Sequence, residues 1–278
     1  MSVTVAGVLA QVDLADSASP RLDAELLLAH VLNRPRSFLR TWPEQVLDSA
    51  EVRRFDELLA RRRAGEPVAY LLGRQGFWTL DLEVSSATLI PRADTETLIE
   101  VVLGLPLVEQ ARVLDLGTGT GAIALALAQE RPSWQVTGCD RVAEAVELAR
   151  GNAERHGLAN ARFLLSDWFG AVDPSARFDL IVSNPPYIAE GDLHLQQGDV
   201  RFEPASALVS GPDGLDDIRL IVEQAPVHLA ESGWLFLEHG WDQAETVAEL
   251  LSRRGFAAVR SHRDLGGHLR ITGGTWHA

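Results

Sequence analysis

Apolar and polar positions follow two different grammars along this chain. In the first stretch, apolar residues recur at helical spacing. Val5, Val8, Leu9 and Val12 stand at i, i+3, i+4 and i+7, a one-sided stripe. Ser19-Pro20 supplies a cap and a first-turn proline for a helix running through Leu32. Asp48, with Glu51 three positions on, has the form of a capping box, and Val52, Phe55, Leu58 and Leu59 share one face of the helix it opens. Gly65-Glu66-Pro67 stops that helix. The leucines of this region read as the core of a small bundle. Gly76–Val84 then alternates with a period near two, the pattern of a strand or hairpin.

From about residue 90 the pattern becomes strand–helix–strand. Apolar strand candidates are Arg112–Leu116, Gln135–Cys139, Arg162–Leu165, Phe178–Ser183, Trp234–Glu238, Ala257–Arg260 and Leu269–Thr272. Helical stretches at about 120–130, 141–156, 213–230 and 242–254 separate most of them. Strands that alternate with helices imply a mostly parallel sheet covered on both faces. The expected organisation is a helical domain over 1–75, a β-hairpin linker over 76–90 and an α/β domain over 91–278.

Composition narrows the function classes. The chain has 278 residues, 46% of them hydrophobic, and no apolar run approaches the roughly 18–20 residues of a membrane span. The opening MSVTVAGVLAQVDLADS has no basic start and carries acidic residues early, so it does not read as a secretory signal. Cys139, the one cysteine, excludes an intrachain disulfide and a thiolate-cage zinc site. A cytoplasmic protein with no metal and no membrane partner is expected. Twenty-five basic against thirty-nine acidic residues give a formal charge of −14, which works against direct DNA binding. Arg53, Arg54, Arg61, Arg62 and Arg63 form the one dense basic cluster, read as the solvated face and last turn of a helix.

Candidate chemistry begins at Asn184-Pro185-Pro186-Tyr187, directly after the strand Phe178–Ser183. Ligands of open α/β sheets bind outside the carboxyl ends of strands. There the Asn184 side-chain oxygen and the Pro185 carbonyl are two acceptors for the two hydrogens of a planar –NH₂ group, and Tyr187 is a ring to stack on its face. Val113–Gly121 is a second strand that runs into a glycine-rich turn, Gly117-Thr118-Gly119-Thr120-Gly121, then a helix of Ala and Leu. Asp140 ends the next strand about 20 residues on, where ribose-hydroxyl recognition places an acid. The G-x-G-x-G spacing is not that of a nicotinamide dinucleotide site. Asp115, two residues before the first glycine, suits a cationic ligand carrying an amino group and a sulfonium better than a pyrophosphate.

The segment 112–140 resembles S-adenosylmethionine (SAM)-dependent methyltransferases. By that resemblance Asp167 flanks the adenine as an acceptor for its amino group. Trp168 is either an apolar face for the ring or a core aromatic. N-P-P-Y after the fourth strand occurs in methyltransferases that act on planar –NH₂ nitrogens, either adenine N6 or a glutamine side-chain amide. Leu89–Glu96, Gly117–Gly121, Asn184–Tyr187, Phe202-Glu203-Pro204 and Leu237-Glu238-His239-Gly240 together resemble the release-factor glutamine N5-methyltransferases, over essentially the whole chain.

The resemblance implies a Rossmann-like class I SAM-dependent methyltransferase sheet, with a small N-terminal helical domain joined by a β-hairpin. It implies Gly117, Thr118, Gly119, Thr120, Gly121, Asp140, Asp167, Trp168 and Asn184 as the SAM site. Asn184, Pro185, Pro186 and Tyr187 bind the substrate, with Asn184, Pro185 and Tyr187 carrying catalysis. The implied substrate is the glutamine of the Gly-Gly-Gln loop of peptide chain release factors. Two departures stand out: Ala93 where the family commonly has proline, and the stretch Gly266–Ile271.

Other residues stay open at this level. Arg92, Asp94 and Glu96 anchor the hairpin or line the site, or the two acids simply begin a helix. Glu203-Pro204 orders the loop after Tyr187 or is an ordinary turn. Glu238 and His239 lie on the ligand side of the sheet or are plain surface polarity. The competing functions are an N6-adenine methyltransferase of DNA or RNA, a non-catalytic nucleotide-binding module and a nicotinamide dehydrogenase. The first shares the N-P-P-Y chemistry but must extrude a base against an acidic chain; the second wastes Asn184–Tyr187; the third fails on loop spacing.

Overall fold

The computed structural model describes residues 2–15 and 17–277. It divides into two compact units. One runs to Arg74 and also takes in Leu193–Phe202; the other holds Gln75–Asp192 and the chain from Glu203 onward.

The first unit carries helices α1 (Val5–Ala10), α2 (Pro20–Val31), α3 (Arg36–Thr41), α4 (Ser49–Arg63) and α5 (Val68–Leu72). Val5, Leu9, Leu27, Leu28, Phe55 and Leu59 are buried in its core. Asp48 opens α4 with the full capping box: it accepts from the Ala50 and Glu51 amides at 2.7 and 2.8 Å, and Glu51 accepts from the Asp48 amide at 2.8 Å. Such a cap contributes about 1 kcal/mol. Three details depart from the sequence expectation. Helix α1 stops at Ala10, before Val12. Ser19 makes no side-chain cap; its hydroxyl donates to Asp23 at 3.1 Å instead. Arg62 is not on a solvated face: its side chain is 11% exposed and bridges Asp23 at 2.8 Å and Asp199 at 2.7 Å. That bridge, with Arg201 donating to the Ala64 carbonyl at 3.1 Å, ties Leu193–Phe202 into the helical unit. Helical periodicity cannot reveal a partner 137 residues away.

The second unit begins with the hairpin β1 (Arg74–Phe77) and β2 (Leu80–Glu83). It continues through α6 (Ala93–Leu103), β3 (Arg112–Leu116), α7 (Ala122–Glu130), β4 (Gln135–Asp140), α8 (Ala143–His156), β5 (Ala161–Leu165) and β6 (Phe178–Ser183). It closes with α9 (Asp216–His228), β7 (Leu229–Glu238), α10 (Ala244–Arg254), β8 (Ala257–Arg263) and β9 (Leu269–Thr275). The sheet runs β5-β4-β3-β6-β7-β9-β8, parallel from β5 to β7, with β9 antiparallel to both of its neighbours. Leu98, Leu125 and Val146 from α6, α7 and α8 belong to one core cluster; Ile218, Ile221 and Val247 from α9 and α10 belong to a second. Two apolar cores explain why these strands read as continuous apolar runs rather than alternating ones.

Register then assembles the site. Leu116 pairs with Cys139 on one side and with Ser183 on the other, and Ser183 pairs with Leu237. The next residue on each strand is therefore Asp140, Gly117, Asn184 and Glu238, in one row across the carboxyl edge of β4, β3, β6 and β7. Chain order reverses between β3 and β6, the switch point at which open sheets bind ligands. A buried hydrogen bond from the Ser183 hydroxyl to the Leu116 carbonyl, 2.7 Å, locks the two central strands at that row.

Candidate active site

A cleft enclosing about 890 Å³, part of it open to solvent, lies over that row. Its walls include Gly117, Thr118, Gly119, Thr120, Asp140, Asp167, Trp168, Asn184 and Pro186, together with Thr88, Arg92 and Thr95. Of the expected site residues, Gly121, Pro185 and Tyr187 are not among its lining. Gly121 instead caps α7 with φ of 84°, and a Cβ there would press within 3.0 Å of Leu125 and 3.2 Å of Ala149. Only glycine suits that position.

Gly117 has φ of 70°, and a Cβ on it would meet the Trp168 ring at 3.4 Å. The indole is therefore both a wall of the cleft and a neighbour of the core, packed against the cluster that holds Leu116 and Phe169. Asp140 holds the loop by its carboxylate: Oδ2 accepts from the Gly119 amide and Oδ1 from the Val142 amide, each at 2.9 Å. A carboxylate has about four acceptor sites, so each oxygen keeps one for the cleft. Two such acceptors match the two hydroxyls of a ribose. The chemistry of this lining fits SAM.

Asp115 differs from the sequence expectation. It does not face a cationic ligand but lies fully buried under the glycine loop, where Oδ2 accepts from the Thr118 hydroxyl at 2.6 Å and the Ala124 amide at 3.2 Å. Its Oδ1 has no hydrogen-bond partner. Burial pushes this carboxyl up to about 7; the bonds from Thr118 and Ala124 oppose that rise and the charge of Asp140 adds to it. A folded pKa above the unfolded value of about 3.9 makes the protonated fold the more stable one. That stability is fully present below about pH 4 and is lost as pH rises through about 7. The ligand-free protein should therefore melt at a lower temperature near pH 8 than near pH 5.5, and Asp115→Asn should flatten the difference in a thermal scan. An equal slope in the variant would remove Asp115 as its source.

Asn184 is half-buried at the end of β6, and its Nδ2 donates to Thr95 Oγ1 at 3.2 Å. The amide is thereby oriented with Oδ1 left as an acceptor. Tyr187 turns toward β7, its hydroxyl 3.4 Å from Glu238 Oε1, while its carbonyl accepts from Gln243 at 3.0 Å. The open alternatives at neighbouring residues also resolve. Glu203 is no ordinary turn residue: its side chain is buried, it accepts from the Ile90 amide at 3.1 Å and it pairs with Arg92. The segment before α6 is thus held by Glu203, next to Ala93, which begins the helix. Glu96 accepts from the Trp78 amide at 2.7 Å and so anchors the hairpin. Glu238 and His239 are not surface polarity, being 1% and 0% exposed.

Residues 9–73 match the family described as PrmC N-terminal domain, and residues 92–211 match Methyltransferase small domain. The chain is similar to a release factor glutamine methyltransferase of Pseudomonas aeruginosa, with 60% identity over 98% of this chain and 99% of that one. It belongs to the release factor glutamine methyltransferase family. A member from Escherichia coli is 50% identical over 95% of both chains. Among solved structures, a methyltransferase from Pyrococcus furiosus, 20% identical, superposes with a TM-score of 0.55 over 80% of this chain and all of that one, a likeness of fold. Sequence reasoning for this family member missed Thr95 and the buried state of Glu238. Both act across the sheet edge, and no local pattern signals a hydrogen bond spanning 89 residues.

Proposed function

We propose that this chain transfers the methyl group of SAM to the side-chain amide nitrogen, N5, of a glutamine in the Gly-Gly-Gln loop of peptide chain release factors. The observation that carries the reading is the Asn184 amide, oriented by Thr95 in the same register row as the glycine loop. The helical unit serves recognition of the release factor, and the cleft admits a thin, glycine-flanked loop. The reaction takes place in the cytoplasm.

When bound, SAM supplies an electrophilic methyl on a sulfonium, whose leaving group is a neutral thioether. The rest is positioning by this chain. Asn184 Oδ1 and the Pro185 carbonyl accept the two N–H groups of the substrate amide and aim its nitrogen along the cleft. Tyr187 limits the tilt of the amide plane. Holding reactants in a near-attack arrangement accounts for large rate factors without a general base; as the N–C bond forms and the S–C bond breaks, the nitrogen's surplus proton passes to solvent. Asp140 takes the ribose hydroxyls, Asp167 the adenine amino group and Trp168 the face of the ring. Asn184, at the junction, touches both partners.

The test offers tritiated SAM to purified release factor and, in parallel, to duplex DNA and tRNA. Label is expected in the release factor alone. Label confined to nucleic acid would replace this reading with N6-adenine methylation, which shares the N-P-P-Y chemistry.

A further inference from the structure

The turn Asn184-Pro185-Pro186-Tyr187 is poor in amides that could hold it, because a proline has no N–H to give. Its near end is locked by the Ser183 hydroxyl, which donates to the Leu116 carbonyl at 2.7 Å. Its far end is held by a side chain from the turn between β7 and α10: Gln243 Nε2 donates to the Tyr187 carbonyl at 3.0 Å. The oxygen of the same side-chain amide is taken as well, since Oε1 accepts from the Gly240 amide at 2.8 Å. A backbone N–H only donates, so the Gln243 oxygen must face Gly240 and its –NH₂ must face Tyr187. Packing closes around that bond. Gly214 has φ of 75°, and a Cβ on it would run into the Tyr187 carbonyl and lie 3.0 Å from Gln243 Nε2.

We infer that Gln243 is a positioning residue for methyl transfer: by donating to the Tyr187 carbonyl it fixes the far end of the turn whose Asn184 and Pro185 oxygens hold the acceptor nitrogen. The inference rests on the functional reading above and adds a residue to it.

The mechanics follow from the shortness of the turn. Between its two anchors lie Asn184, Pro185 and Pro186, and the prolines have fixed φ. Few torsions are left to absorb a displacement at Tyr187, so the Pro185 carbonyl shifts with it. Beyond the turn the chain is carried by Ile188, which donates to the Leu208 carbonyl at 2.8 Å and accepts from the Ser210 amide at 3.0 Å. The Tyr187 carbonyl is thus the last point at which the turn itself is held. Gln243 is not among the residues that line the cleft, so it acts through the turn rather than on SAM. Its bond from Gly240 has a different task. Together with the Gln243 amide, which donates to the Gly240 carbonyl at 3.0 Å, it shapes the entry into α10.

Two substitutions separate these tasks. Gln243→Glu keeps an oxygen for the Gly240 amide but turns an acceptor on the Tyr187 carbonyl; Gln243→Lys keeps a donor for that carbonyl and gives up the Gly240 bond. The experiment measures kcat and KM for release factor, and the Kd of SAM, at about pH 8, where a glutamate is ionised. Gln243→Glu is expected to lower kcat roughly tenfold or more, the cost of a misplaced reacting group, with KM and Kd within about threefold of wild type. Gln243→Lys should keep at least about threefold more turnover than Gln243→Glu. A role confined to shaping α10 gives the reverse order. Gln243→Glu within about twofold of wild type in kcat, a loss confined to KM, or Gln243→Lys no faster than Gln243→Glu would each overturn the positioning role. Should either variant not fold, Gln243→Met decides: it has similar length and neither bond, and kcat within about twofold of wild type overturns the role while a tenfold loss at unchanged KM sustains it. Wild-type enzyme that labels no release factor would refute the functional reading instead.

Discussion

Asn184→Ala is expected to lower kcat by at least about 10²-fold while SAM still binds measurably. The substitution deletes the Oδ1 acceptor that we propose shares the substrate amide with the Pro185 carbonyl. One remaining acceptor leaves the –NH₂ group free to swing about a single hydrogen bond, and misplacement on the order of 1 Å is worth about two orders of magnitude in rate. The cofactor side is affected less, because Asp140, the Gly117–Thr120 backbone and Trp168 all remain in the cleft. The fold should survive, since Asn184 is half-buried and the bond between Ser183 and Leu116 that locks the two strands is untouched. Single-turnover rates with calorimetric SAM affinity separate the two effects. Unchanged turnover would contradict the grip.

The second large effect is expected at Asp140, where alanine should weaken SAM binding by roughly 10- to 10²-fold, as for hydrogen bonds to a charged group worth about 1.5–3 kcal/mol. Two losses combine there. The ribose hydroxyls lose their acceptors, and the Gly119 and Val142 amides lose the oxygens that hold them at 2.9 Å. The glycine loop is then less ordered before ligand arrives. Asp140→Asn, which keeps one acceptor oxygen, should fall between alanine and wild type. At saturating SAM the alanine variant should recover most of its turnover, in contrast to Asn184→Ala. Calorimetry that returns wild-type affinity would remove Asp140 from the ribose site.

Much of this was legible in the chain because it is local. The apolar runs that became β3, β4 and β6 each end at a residue of unmistakable chemistry, Gly117, Asp140 and Asn184, and a parallel sheet brings such ends together. The capping box at Asp48 is equally local and formed as written. What sequence could not give is long-range pairing. The Arg62 bridge to Asp199, the Glu203 hold on Ile90 and the Thr95 bond to Asn184 span 137, 113 and 89 residues. Burial of charge was the other blind spot. Asp115 looked like a ligand-facing acid and is instead the buried brace that fixes Thr118 and the first turn of α7. For Glu238 the ligand side of the sheet and surface polarity read equally well, because composition does not say which strand end is covered. The single-turn helices α3 and α5 escaped notice because five or six residues are too few to establish a period.

We propose that one row across the sheet edge delivers a methyl group to a held glutamine amide. Tandem mass spectrometry of a release factor, incubated with this enzyme and SAM, tests it most directly. One added methyl is expected, located on the side-chain amide of the glutamine in the Gly-Gly-Gln loop and missing after reaction with Asn184→Ala. A methyl found on any other residue, or the same modified glutamine at wild-type yield from Asn184→Ala, would contradict it.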